Sequence, residues 1–304
     1  MRLNPPSSGF ASLVMFVSAS LWGLYWMPLR YLEGLGIEGA WAIAILNIPA
    51  AVVLGIYTLT RWSHHRGFLL QSVAIGLFTG TALALYGSGL IQSSVVRATL
   101  LFYLTPVWAT LIGIFWLGEK AAWQRWAAIA AGLVGLLLLL SGGGSVPLNI
   151  GDLFAILSGM VWAMGAAMIV RFERVPVPGM VTVQFICTSL IAVLLGAATA
   201  TASIQPPETG VLISAAPSTI AISVLIFLPA VSIIFWAQKF LFPGRAGLLM
   251  MSEVLMAVLS ASLLIPEERM SVLEWCGAAL IVLACLAEVL LTPNQTPRQQ
   301  ASTA

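Results

Sequence analysis

Long apolar stretches follow one another along this chain with little between them. Each runs about as far as a helix needs to cross a bilayer, about 20 residues. The pattern predicts spans over 10–32, 39–60, 68–90, 94–117, 122–141, 150–170, 178–200, 213–238, 246–265 and 271–292. In lipid every backbone polar group must find its partner within the segment, so these runs are read as helices rather than open sheets. The polar breaks between them are short: Arg61 to Arg66, the glycine-rich Ser141 to Pro147, Arg171 to Pro178, and Ser203 to Glu208. The arm before the first span is too weakly charged and too rich in proline for a typical signal peptide, so that span is expected to be retained. Residues 294–304 are polar and are expected to form a disordered cytoplasmic tail.

The pattern also repeats. Arg97 to Glu119, RATLLFYLTPVWATLIGIFWLGE, returns as Arg245 to Glu267, RAGLLMMSEVLMAVLSASLLIPE. A gapless overlay pairs Arg97 with Arg245, Ala98 with Ala246, Leu100 and Leu101 with Leu248 and Leu249, Ala109 with Ala257, Leu111 with Leu259, and Glu119 with Glu267. Leucine and alanine matches arise easily in apolar segments, whereas arginines and glutamates bracketing spans of equal length do not. Residues 1–145 are therefore one five-helix repeat and 146–293 a second, the internal symmetry typical of transporters built from two halves.

Composition agrees. With 60% hydrophobic and 8% charged residues and a mean hydropathy of +1.01, the chain departs far from soluble domains, in which about 25% of residues are charged. Ten spans with short loops leave no room for a soluble catalytic domain. Cys187, Cys276 and Cys285 each fall inside an apolar run and read as small core side chains, not as a disulfide framework.

Charge enters through its distribution. With a cytoplasmic N-terminus, ten of the 13 basic residues face inward, and only Arg30, Arg97 and Arg269 face outward. That excess places both termini in the cytoplasm. Five spans per repeat make the second repeat enter from the opposite side. The expected fold is all-α and integral to the membrane, with ten transmembrane helices as two inverted five-helix repeats.

Ala98-x-Leu100-Leu101-x-Tyr103-Leu104-x-Pro106-Val107, running to Leu117-Gly118-Glu119 and followed by Trp126 and Gly135, resembles the core of EamA-type transporters of the drug/metabolite transporter superfamily. Ala246-x-Leu248-Leu249, Glu253, Leu259, Glu267 and Trp275-x-Gly277-Ala278-Ala279-Leu280-Ile281 are similar to that family's second repeat, and Trp22-Gly23 to its first helix. Val254 and Pro266 depart from it, standing where the family often has proline and glycine, which leaves the kink and turn of the ninth helix open. Within the superfamily, Leu248-Leu-Met-Met-Ser-Glu253 most resembles the YddG-type aromatic amino-acid exporters. The resemblance implies a multi-pass protein of the bacterial inner membrane, working as a monomer or homodimer, that exports small solutes such as amino acids.

One acidic residue, Glu253, lies deep in an apolar run, about 10 Å of helical rise beyond Arg245. A charge at that depth is expensive, so such groups usually face a wet cavity and mark a pathway, here with a proton-coupling role. Its structural alternative is to cap free backbone or to hydrogen-bond a neighbouring helix. Thr105 occupies the matching place in the first repeat, and Ser252 adjoins Glu253.

Aromatic residues make the second constellation. Ser18 and Trp22 are spaced to share a helix face, Ser158 and Trp162 repeat the spacing on the sixth span, and Tyr86, Tyr103 and Trp236 would complete a box for a planar or apolar solute. Packing residues or interfacial anchors are the competing role, which Trp26, Trp41, Trp62, Trp116, Trp123 and Trp126, near span ends, are taken to fill.

Other features read as structural. Arg97 and Arg245 are expected to snorkel or cap at helix ends, and Glu119 and Glu267 to be solvated in turns. Pro28, Pro49, Pro106 and Pro229 lie within apolar runs and permit kinks. Ala128 with Gly132, and Ala131 with Gly135, make a small-residue face for packing within the chain or between protomers. His64 and His65 form a loop pair expected at the surface, and Asp152 suits a helix N-terminus.

There is no phosphate loop for ATP and no zinc-protease motif, and an enzyme would need histidines or carboxylates clustered at one depth. A channel would need a continuous polar ring. The expected function is a secondary transporter working by alternating access, with no catalytic role, cofactor or metal, and with the lipid bilayer and a small solute rather than nucleic acid as partners. Amino acids, aromatic ones included, are the expected solutes, and purines, nucleosides or drug-like molecules the alternative.

Overall fold

The computed structural model describes residues 7–93, 98, 101–139, 149–199, 206–264 and 271–291. Ser7 accepts the amide of Phe10 and caps α1 (Ser8–Trp22). A 3₁₀ turn over Gly23–Tyr25 leads directly into α2 (Trp26–Gly34). α3 (Gly39–Thr60) carries Pro49 inside it and is followed by the short α4 (Trp62–His65) and by α5 (Leu69–Gln92). Next come α6 (Thr105–Leu117), with Pro106 in its first turn, and α7 (Trp123–Leu139). Gly118, at φ 67°, takes the left-handed conformation that ends α6.

The second repeat opens with α8 (Ile150–Arg171), where Asn149 and Asp152 cap each other's backbone amides. The Ser93 hydroxyl donates to Asp152 at 2.6 Å and ties the end of α5 to that cap. α9 (Val177–Thr199) and α10 (Thr209–Ile222) follow. A π turn over Ser223–Phe227 joins α10 to α11 (Leu228–Gln238), where Pro229 stands in the first turn. The chain continues through α12 (Pro243–Met250), α13 (Ser252–Leu264) and α14 (Val272–Leu291).

Seven segments among the described residues are long and apolar enough to cross a membrane: Ser8–Gly34, Gly39–Thr60, Trp62–Gly89, Ile150–Arg171, Val177–Leu195, Thr209–Gln238 and Val272–Leu291. Phe115, Leu70, Leu225 and Leu290 are each more than 70% exposed, the surface a lipid environment would cover. The protein is a multi-pass membrane protein.

Packing between helices comes in reciprocal pairs. α5 lies on α8 as α1 lies on α11, and α6 lies on α8 as α13 lies on α1. The pairs α3 with α9 and α7 with α14 join corresponding members of the two repeats, and α6 with α12 joins the second half of one broken span to the first half of its counterpart. That is the pattern of two intertwined halves, with most of the core between them rather than within either. The small-residue face of α7 is spent internally: a Cβ on Gly135 would sit 2.8 Å from the Gly277 carbonyl oxygen of α14, and one on Gly132 would meet the Met251 sulfur.

Several expectations change. The spans predicted over 94–117 and 246–265 are interrupted, by a turn at Tyr103 and Leu104 and by a turn at Met251. The repeat pairs Tyr103 with Met251, so both breaks fall at the same place in the two halves. Glu119, expected to be solvated, is buried, because Arg125 pairs with it and with Glu288. Glu288 is itself fully buried near the end of the last helix, so Glu253 does not stand alone as a deep acid. Arg245 does not snorkel; it is 3% exposed and its Nε donates to Ser12 at 3.1 Å. His65 is buried beneath Ser72 and Gly179 instead of at the surface. Cys276 is exposed, whereas Cys285 is buried and Cys187 partly so. Arg97, Glu267, Pro266, the Ser141 to Pro147 break and the tail lie outside the described residues.

Candidate functional site

The two breaks put helix ends in the middle of the protein. α6 begins at Thr105 and α13 at Ser252, so Glu253 stands in the first turn of a half-helix, where its charge suits the dipole and the free amides of the turn. Close approach of the neighbouring helices depends on two glycines. A Cβ on Gly23 would collide with the Glu253 carbonyl oxygen, and one on Gly159 would lie 2.7 Å from the Phe102 carbonyl oxygen. Each repeat thus sets a glycine against the broken helix of the other.

Beside these ends lies a narrow cavity, with about 20 Å³ free to a water-sized sphere. Trp22, Leu83, Tyr86, Phe102, Trp162, Val231, Ile234, Phe235, Met250 and Glu253 line it. Four of the residues singled out from the sequence, Trp22, Tyr86, Trp162 and Glu253, therefore meet in one place, from α1, α5, α8 and α13. Among the described lining residues Glu253 is the one that carries a charge, and it keeps part of its surface accessible.

The aromatic walls are fixed by their own contacts. Trp22 stacks on Tyr25, with centroids 4.9 Å apart and planes 10° from parallel, and lies 5.2 Å from Phe227. These contacts join the 3₁₀ turn of the first rod to the π turn after α10. Tyr86 leans on Phe102 at 4.5 Å, and Trp162 meets Phe235 edge-on at 6.3 Å. Behind this wall Tyr103 is fully buried, its hydroxyl within hydrogen-bonding reach of the Met250 carbonyl, at 3.3 Å, and of the Glu253 carboxyl.

The remaining sequence candidates are not among the lining residues. Ser18 is buried, and the Ser158 hydroxyl donates to the Ala155 carbonyl of its own helix at 2.7 Å. Thr105 likewise donates to Phe102, and Ser252 donates to the Phe16 carbonyl at 3.0 Å. A hydroxyl in a helix readily satisfies itself on backbone three or four residues back, so spacing alone does not aim it into a cavity. Trp236 packs on Phe240 and Phe10, away from the lining. Phe102, Phe235, Val231, Ile234, Leu83 and Met250 were not singled out. They sit in uniformly apolar runs, where Pro106, a few residues beyond Phe102, is the signal the sequence offers.

A second polar cluster lies apart from the lining. Arg125 holds Glu288 through two contacts of 3.1 Å and also pairs with Glu119, and Arg245 is close enough to feel both Arg125 and Glu288. All four side chains are buried. The cluster links α7, α12 and α14 to the turn after α6.

Comparison with known proteins places these features. The model of the EamA-like transporter family matches residues 9–141 and again 149–289. The chain is similar to Protein RarD of Streptomyces exfoliatus, at 29% identity over 43% of this chain and 44% of that protein. It is also similar to the S-adenosylmethionine uptake transporter of Rickettsia bellii (strain RML369-C), at 30% identity over 32% of each. The matches thus span less than half the length of these curated relatives. A solved crystal structure superposes with a TM-score of 0.71 over 93% of this chain and 99% of that one, at 20% identity, a likeness of fold.

Proposed function

This chain belongs to the EamA-like transporter family, and we propose on that premise that it is a secondary transporter of small metabolites working by alternating access, with no enzymatic role. The observation that carries the reading is the cavity at the two broken helices, whose walls come from both repeats. Movement of one repeat against the other opens such a cavity to one face and then to the other. In this reading the ten spans form two inverted repeats in a bacterial inner membrane, with both termini cytoplasmic because the basic residues gather on that side.

The finer proposal is export of amino acids, aromatic ones included, in the manner of the YddG-type exporters. Once movement of one repeat against the other widens the cavity, a planar side chain would lie among Trp22, Tyr86, Phe102 and Trp162, and the solute's ammonium group would face Glu253. Purines, nucleosides and drug-like solutes form the second reading, which the mostly aromatic and aliphatic lining also accommodates.

Transport by the purified chain in proteoliposomes tests both. Vesicles preloaded with unlabelled tryptophan or phenylalanine should accumulate the labelled amino acid by counterflow, and Trp162→Ala should abolish it. Counterflow of nucleosides or of drug-like amines but not of amino acids would move the proposal to the second reading, and no counterflow of any of the three would sink it.

A further inference from the structure

The lining is unbalanced in charge. Among the described residues that line it there is one carboxyl, Glu253, and no lysine, arginine or histidine. Described cations on the surrounding helices are engaged elsewhere: buried Arg245 donates to Ser12 and lies with Glu288, and the part-buried Lys239 ammonium donates to the Val175 carbonyl. The other lining groups are five aromatic side chains, Trp22, Tyr86, Phe102, Trp162 and Phe235, together with aliphatic ones and Met250. Aromatic faces are negative at their centres and attract cations, most strongly where water is excluded. A carboxylate in the same place would meet those faces and Glu253 with no counter-charge, and a desolvated unpaired charge is costly.

From this we infer that the cavity selects organic cations, namely amines with an aromatic or apolar body and no carboxylate, over zwitterionic amino acids and over anions. The inference rests on the cavity being the solute site proposed above, and it ranks amines ahead of the amino acids of that proposal, which gain the same ammonium contact and bind more weakly. An ammonium group would sit against Glu253 with its stem between the indoles of Trp22 and Trp162. An amino acid gains the same ammonium contact but must also bury a carboxylate, and an anion gains nothing. Tyr103 takes part as a positioning residue, because its hydroxyl, beside both the Met250 carbonyl and Glu253, fixes where that carboxyl stands.

Binding to the purified full chain in detergent, followed by ligand-induced thermal shift and by radioligand competition, separates these classes with four probes that share an indole ring. Tryptamine is the cation, tryptophan the zwitterion, indole-3-acetate the anion and 3-methylindole the neutral body. Tryptamine is expected to bind about tenfold or more tighter than tryptophan, and indole-3-acetate not to compete. In Glu253→Gln the advantage of tryptamine over 3-methylindole should vanish. Should that variant fail to fold, Trp162→Leu serves, since loss of the ring face should weaken tryptamine by a larger factor than 3-methylindole.

Tryptophan or indole-3-acetate binding as tightly as tryptamine overturns the inference. So does an unchanged ranking in Glu253→Gln, or in Trp162→Leu where that variant is the one used, and so does a failure of all four probes to bind. If tryptamine binds as described yet no solute crosses a proteoliposome membrane, the transport reading fails while the selectivity stands.

Discussion

Gly23 and Glu253 meet through their backbones. A Cβ added at Gly23 would run into the Glu253 carbonyl oxygen, and would also stand 2.9 Å from the Met256 Cβ and 3.0 Å from the Ala257 nitrogen. Only a glycine lets the first helical rod lie that close to the half-helix that carries the cavity's carboxyl. The contact also couples the two, because Gly23 begins the 3₁₀ turn that presents Trp22 and Tyr25, and mid-helix 3₁₀ segments often mark hinges.

Gly23→Ala should therefore be costly. Two of the three opposing atoms are backbone and cannot swing aside, so a loss of about 1–3 kcal/mol is expected, the range for overpacked sites. Gly34→Ala is the control, since nothing lies within 4 Å of its Cβ position. Thermal unfolding of both variants in detergent decides: equal melting temperatures would mean that the close approach is not maintained.

A different cost is expected in the buried ion cluster. Removing Arg125 alone, as Arg125→Met, leaves Glu119 and Glu288 buried with Arg245 as the remaining neighbouring cation, and breaking a buried pair typically costs about 3–5 kcal/mol. Arg125→Met combined with Glu288→Leu restores the charge balance and should recover much of that loss. Melting temperatures for the two single variants and the double give the coupling directly, and additive losses would argue that Arg125 and Glu288 do not act as a pair.

Much of the architecture could be read from the residues because the bilayer constrains it so tightly. Apolar runs of the right length leave the backbone few choices but helices, and the paired arginines and glutamates exposed the duplication. The breaks at Tyr103 and Met251 were not readable, because a turn inside an apolar run is satisfied by surrounding protein and needs no polar residue of its own. Glu288 was hidden for another reason. Its partner Arg125 is remote in sequence, so a glutamate near the end of a span looks solvated until α7 and α14 are seen together. In the site, Glu253 and the aromatic residues stood out as costly or bulky, whereas the Ser158 hydroxyl turns back on its own helix and Ser18 is buried outside the lining.

Topology is open to chemical labelling. In a cysteine-free background, Ser145→Cys and Glu208→Cys should react with an impermeant maleimide added to intact cells, and Ser63→Cys only after the membrane is breached. Glu208 and Ser63 are both exposed, so access to reagent should depend on the side of the membrane. The reverse pattern would place the basic loops outside and overturn the orientation.

Glu253 raises the question of coupling. It is the one carboxyl among the described lining residues, it stands at the start of a half-helix, and its backbone is clasped by Gly23. A carboxyl that gives and takes a proton during the cycle would tie solute movement to the proton gradient, since an arriving cation and a proton compete for the same oxygens. Glu253→Gln keeps the shape and most of the hydrogen bonding but removes the titration. The variant is expected to fold, to lose flux driven by an imposed pH gradient, and to retain some exchange between compartments of equal pH. A structural carboxyl predicts something else: near-normal flux for Glu253→Gln, and poor insertion for Glu253→Leu, which cannot hydrogen-bond to Tyr103. Flux in proteoliposomes with and without the gradient separates the two, and gradient-driven flux unchanged in Glu253→Gln would remove the coupling role and leave the solute gradient as the driving force.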